Sequence, residues 1–107
     1  MKQGLSIVAV VGGYRPYVLV GWLRRAGGDE WEMHGARIIR RFGESQALAG
    51  LAAKGPYSAR GKQPTELLEA SVEPEAVHRL AVGRCIPCNV EAWAQACPRP
   101  AGWEVAK

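Results

Sequence analysis

The chain has 107 residues, enough for one domain with one modest core. Its hydrophobic and charged fractions, 48% and 22%, are those of a chain that folds rather than one that stays disordered, and no run approaches the ~18–20 apolar residues of a membrane span. The formal charge of +4 is uneven, with +6 on residues 1–62 and −2 on residues 63–107, so the front half suits a polyanionic partner or, in a plainer reading, carries arginine-blunted strand edges.

Leu5–Val11 is predicted as a first strand, apolar on both faces and therefore central. One lysine precedes it, and Arg15-Pro16 follows in place of a small-residue cleavage site, which argues against a signal peptide. The expected location is cytoplasmic. Gly12 to Pro16 connect to the next run, and Pro16, lacking an amide hydrogen, suits the beginning of a strand.

The stretch Tyr17–Phe42 carries the strongest local signal. Two runs rich in β-branched and aromatic residues flank Gly27-Gly28 and predict a hairpin. With the two glycines as the turn, Arg25 faces Glu30, Arg24 faces Trp31, Leu23 faces Glu32, Trp22 faces Met33 and Val20 faces Gly35. Val20, Trp22, Trp31 and Met33 then share a face, with Arg24 over Trp31. Cross-strand pairs of this kind stabilise a sheet by ~0.2–1 kcal/mol each.

Gly43 ends the third strand. Ser45 is placed to cap a helix over 46–54, whose Ala47, Leu48, Leu51 and Ala52 form one apolar stripe. Gly50 weakens that helix by ~1 kcal/mol, so it depends on docking, and Gly55-Pro56 stops it. Residues 55–64 have no hydrophobic period and carry Arg60 and Lys62; they predict a mobile loop belonging to the functional surface. Thr65–Val72 reads as a strand, Pro74 as a turn, and Ala76–Ile86 as a strand pairing back on 65–72. A short helix from Pro74, capped by Ser71, is the competing reading. Asn89 is expected to cap a helix over 90–97, ended by Pro98 and Pro100, with Trp103 in a tail. The order predicts an α+β fold: a curved antiparallel sheet or small SH3-like barrel of about five strands, with one or two short helices. The barrel is named by analogy of strand pattern.

Chemistry-bearing residues are sparse. Cys85-Ile-Pro-Cys88 and Cys97 supply three thiols where a structural zinc needs four ligands, and His34 and His78 are not spaced to complete the set. A thioredoxin-type pair would need a βαβ beginning that this chain lacks. No serine or cysteine is tied by spacing to either histidine, no two carboxylates stand apart as acid and base, and Gly12-Gly13 leads into a strand rather than a phosphate-binding helix. The expectation is three reduced thiols, no metal, no cofactor, no catalytic residue and no enzyme.

The positive signal is arginine beside aromatics. Arg15 lies between Tyr14 and Tyr17, Arg24 and Arg25 follow Trp22, and Arg37, Arg40 and Arg41 precede Phe42. Arg15, Arg37, Arg40, Arg41, Arg60 and Lys62 form the candidate binding set. The leading expectation is a protein–protein interaction or accessory factor, with homodimerisation through a strand edge as one form of it, and no membrane partner. The alternative is a small β-barrel that binds nucleic acid, its aromatics stacking bases and its cations holding phosphates.

Overall fold

The computed structural model describes residues 1–12, 16–43, 47–57 and 64–103. Six strands form an antiparallel sheet: β1 (Gly4–Val10), β2 (Tyr17–Gly27), β3 (Glu30–Arg41), β4 (Glu66–Leu67), β5 (Glu75–His78) and β6 (Val82–Pro87). One short helix, α1 (Leu48–Lys54), and a 3₁₀ turn at Arg79–Ala81 accompany it. The fold is the expected α+β curved sheet.

β1 lies between β2 and β6, and its alternating side chains are buried on both faces, Leu5 and Ile7 on one and Val8 and Val10 on the other. The strand order is β4-β3-β2-β1-β6, with β5 also on β3. β4 and β5 thus share the outer edge of β3: β5 pairs with Glu30–Met33, and β4 with Ile39 and Arg41. This corrects the predicted pairing of 65–72 with 76–86. β3, at 12 residues, outruns either partner and offers each a separate length of edge.

The predicted strand 76–86 is interrupted at residues 79–81, where the His78 ring accepts the Leu80 amide at 3.1 Å and bends the chain. This turn carries the chain from the β3 edge to the β1 edge. The four virtual bonds from His78 to Val82 reach at most ~14 Å, so the two sides of the sheet must curl toward each other. Val11 and Gly12 amides both donate to the Ala81 carbonyl, at 2.8 and 3.2 Å, and fix that approach. Among the described residues no ladder joins β5 to β6, so the sheet is curved rather than closed.

The hairpin forms one residue away from the predicted register. Gly27 stays in β2 and pairs with Glu30, and the turn is Gly28-Asp29, with Gly28 at φ +56°. Arg25 therefore faces Trp31, Arg24 faces Glu32, Leu23 faces Met33 and Trp22 faces His34. Because successive strand side chains alternate faces, the offset sends Trp22 and Met33 to opposite sides of the sheet. Between the Trp22–His34 and Val20–Arg37 pairs, Gly35 and Ala36 together oppose Gly21. This is a bulge, and Gly35, at φ +61°, supplies the left-handed residue it requires.

Two apolar clusters result. On one face, Leu5, Ile7, Val20, Trp22 and Ile39 pack under α1 and the segment 89–103, from which Leu51, Ala52, Trp93, Cys97 and Trp103 are buried. On the other, Val8, Val10, Leu19, Leu23, Trp31, Met33, Ala36 and Val77 pack together.

Helix α1 starts at Leu48, with Ala47 as a cap that makes no side-chain bond; Ser45 lies outside the described residues. The helix stops as predicted at Gly55, whose amide donates to the Leu51 carbonyl at 2.9 Å. Trp93 Nε1 donates to the carbonyls of Leu51 and Ala52 at 3.2 and 3.1 Å, and the Asn89 amide reaches Ala52 at 2.9 Å. The two bonds to Ala52 satisfy a carbonyl that the end of the helix leaves without an internal partner. Asn89 Oδ1 accepts the amides of Glu91 and Ala92, as a cap would. Residues 90–96 nonetheless remain turns rather than the predicted helix. So short a segment has little helical drive of its own, and its tertiary bonds set its path.

Candidate interaction groove

The arginines singled out by the sequence divide three ways. Arg15, Arg60 and Lys62 lie outside the described residues, and so does most of the predicted mobile loop. Arg40 and Arg41 both reach Glu66 of β4, each at 3.4 Å, because that strand pairs beside them. Arg37 is turned inward: its Nε donates to the Leu68 carbonyl at 2.7 Å and its Nη1 to the Ala96 carbonyl at 3.0 Å. It ties the segment after β4 to the segment 89–103. Of the described members, Arg37 is thus held within the fold, while Arg40 and Arg41 stay exposed beside a single carboxylate.

A different constellation forms around Trp22. Its Nε1 donates to the Cys97 carbonyl at 3.0 Å, which draws the 97–103 segment across the sheet. Trp103 then lands edge-on against both Trp22 and His34, with ring centroids 5.5 Å apart in each case. The guanidinium of Arg24 covers Trp103 at 4.4 Å, and that of Arg99 lies 5.4 Å from the centre of Trp22. Arg24 thus stacks on Trp103 instead of the predicted Trp31, because the register moves it to the other face. His34 Nε2 meets Glu32 Oε1 at 2.9 Å.

Beside this row runs a groove of about 330 Å³, bounded by Trp22, His34, Ser71, Val72, Pro98 and Arg99. Val72 stands at its rim, 97% exposed. Ser71 Oγ is buried and has no hydrogen-bond partner, although its amide is held by the Ala36 carbonyl at 2.8 Å. A buried hydroxyl left unpaired costs ~1–3 kcal/mol. The wall of the groove therefore carries an unpaired polar group just beneath apolar surface.

Arg24, His34, Ser71, Arg99 and Trp103 were not in the candidate set. Trp103 and Arg99 sit in what reads as a proline-flanked tail, and only a contact across 75 residues places them on the sheet. The available signal was weak: a tryptophan just after Pro98 and Pro100 needs something to pack against.

The three cysteines are free, with Cys97 buried and Cys85 and Cys88 half-buried. Burial pushes the Cys88 thiol up to about 12, helped by the nearby Cys97, and the Cys97 thiol up to about 11 against the opposing pull of Arg37. Burial also raises the Cys85 thiol, against a hydrogen bond from Ser6. Such thiols stay protonated and are poor nucleophiles. Among the described residues no group of three His, Cys, Asp or Glu side chains is placed to hold a metal ion, and no helix is long and apolar enough to cross a membrane. A scan against protein-family models, a search of curated proteins and a search of solved structures each found no match.

Proposed function

We propose that this protein is a non-enzymatic binding module whose groove beside Trp22 receives a segment of a protein partner. The observation that carries the reading is the groove itself, where the buried, unpaired Ser71 hydroxyl lies beside the exposed Val72 and the prolines 98 and 100. A peptide laid there covers apolar surface, and rotation of the Ser71 side chain would turn its hydroxyl out to a peptide polar group. Of the β3 arginines on which a nucleic-acid face would draw, Arg37 is held by main-chain carbonyls, and Arg40 and Arg41 share Glu66 away from the groove. Base stacking also needs open ring faces, whereas Trp22 and Trp103 are only 3% and 8% exposed.

The test is selection of peptides from a displayed random library on the immobilised protein, followed by amide shift mapping. Selected peptides are expected to move the resonances of Ser71, Val72, Cys97 and Arg99 and the indole N–H of Trp22. Shifts centred on Met33 and Val77 across the sheet, or a library that yields no binder, would sink the proposal.

A further inference from the structure

We infer that the occupant of the groove is acidic: an extended protein segment whose Asp or Glu side chains sit between Arg24 and Arg99. This rests on the groove being a protein-binding site, and it adds the chemistry of the partner.

The inference comes from how charge is matched across the molecule. Arg40 and Arg41 face Glu66, Arg79 holds Asp29 at 2.8 Å, and His78 lies 3.4 Å from Glu30. Among the described residues Arg24 and Arg99 form no ion pair. Glu32 is the cross-strand neighbour of Arg24, yet its carboxylate is turned to His34. Each of these two guanidiniums instead lies over an indole, and the two indoles touch. Stacking holds a guanidinium in place and leaves its N–H edge free, and that edge matches the two oxygens of a carboxylate.

Arg99 borders the groove itself, and Arg24 lies beyond it on Trp103, whose ring touches Trp22 and His34 of the groove wall. Side chains on one side of an extended peptide recur every ~6.6 Å, so a peptide alternating acidic and apolar residues offers carboxylates to the guanidiniums at regular intervals while its main chain passes Ser71. Phosphates of a single-stranded nucleic acid would meet the same cations, but its bases would find the Trp22 and Trp103 faces already covered. The acidic peptide is the occupant that uses both the charge and the groove.

Fluorescence anisotropy tests this with three labelled probes: a peptide of about ten residues alternating Glu with Leu, Ala and Pro, its Gln analogue, and an oligothymidylate. The Glu peptide is expected to bind at least about tenfold more tightly than the Gln peptide and to weaken as salt rises. Arg24→Gln and Arg99→Gln should each lower its affinity about fivefold or more, while the double change Arg40→Gln, Arg41→Gln leaves it unmoved. Arg99 is exposed, so its variant decides the matter if Arg24→Gln melts early. Equal affinity for the Glu and Gln peptides, with the Ser71 and Val72 shifts retained, would overturn the acidic occupant and leave the groove reading standing. Tighter binding of the oligothymidylate would overturn it in favour of nucleic acid. No binding of either peptide would overturn it as well, and the library selection would then decide the groove separately.

Discussion

The indole N–H of Trp22 donates to the carbonyl of Cys97 at 3.0 Å, joining the middle of β2 to a segment 75 residues later in the chain. Both partners are buried, Trp22 at 3% and Cys97 at 4% exposure. Trp22→Phe keeps a ring but leaves that carbonyl without a donor, a loss of ~1–3 kcal/mol. Trp22→Ala also opens a cavity and is expected to cost ~3–5 kcal/mol. Denaturant midpoints measure both, and the Phe variant should also release Trp103, seen as loss of its contact with His34 by NMR.

Ser71→Ala separates stability from binding. Removing an unpaired buried hydroxyl is expected to leave stability unchanged or raise it by up to ~1 kcal/mol, since the Ser71 amide keeps its bond to Ala36. Affinity for a groove-selected peptide should fall. A clear drop in melting temperature would show that the hydroxyl has a partner after all.

Arg37 and its neighbours should behave differently from one another. Arg37→Ala removes two charge-assisted bonds to main-chain carbonyls, with an expected cost of ~1.5–3 kcal/mol. Glu66→Ala breaks two exposed ion pairs and should cost under ~1 kcal/mol. Urea titration of the two variants checks the order.

The thiols give a pH dependence of known sign. Cys88 and Cys97 are raised to about 12 and about 11 in the fold from an ordinary value of 9.0. Below pH 9 both states keep these protons and the contribution is fully present. Above it the unfolded chain ionises first, so stability falls as pH rises through about 9 toward 11–12. The loss should be smaller in Cys97→Ala than in the parent, by melting temperature across that range. At neutral pH a thiol reagent should modify the buried Cys97 slowly, at the rate of opening.

Gly55→Ala combines two penalties. A Cβ there would lie 2.3 Å from the Ala92 carbonyl oxygen, and φ is +82°. A loss above ~1 kcal/mol is expected, measured against Gly28→Asn. That substitution places a residue tolerant of the left-handed region at φ +56° with nothing within 4 Å and should stay within ~0.5 kcal/mol.

What the sequence disclosed follows the range of the forces involved. The hairpin, the central first strand and the end of α1 at Gly55 depend on neighbours a few residues apart, and they were legible. The register was missed by one because Gly27-Gly28 looks like a two-residue turn, whereas Gly27 still pairs with Glu30. That single step moved Arg24 from Trp31 to the face where Trp103 lies. The pairing of β4 and β5 along one edge of β3, and the return of Trp103 to Trp22, are choices among distant partners that local pattern does not rank. The arginines before Phe42 stand out in the sequence, but composition does not show that Glu66 and two carbonyls contact them.

The position of β1 in the strand order also bears on how the chain leaves the ribosome. β1 acquires its neighbour β2 within the first 27 residues, but its other neighbour, β6, is not made until residues 82–87. Throughout that interval the growing chain presents an apolar strand with one row of amides and carbonyls unpaired, the kind of edge that recruits other chains. Truncated products ending between 42 and 81 should therefore aggregate more readily than the 107-residue chain, in which β6 covers that edge of β1.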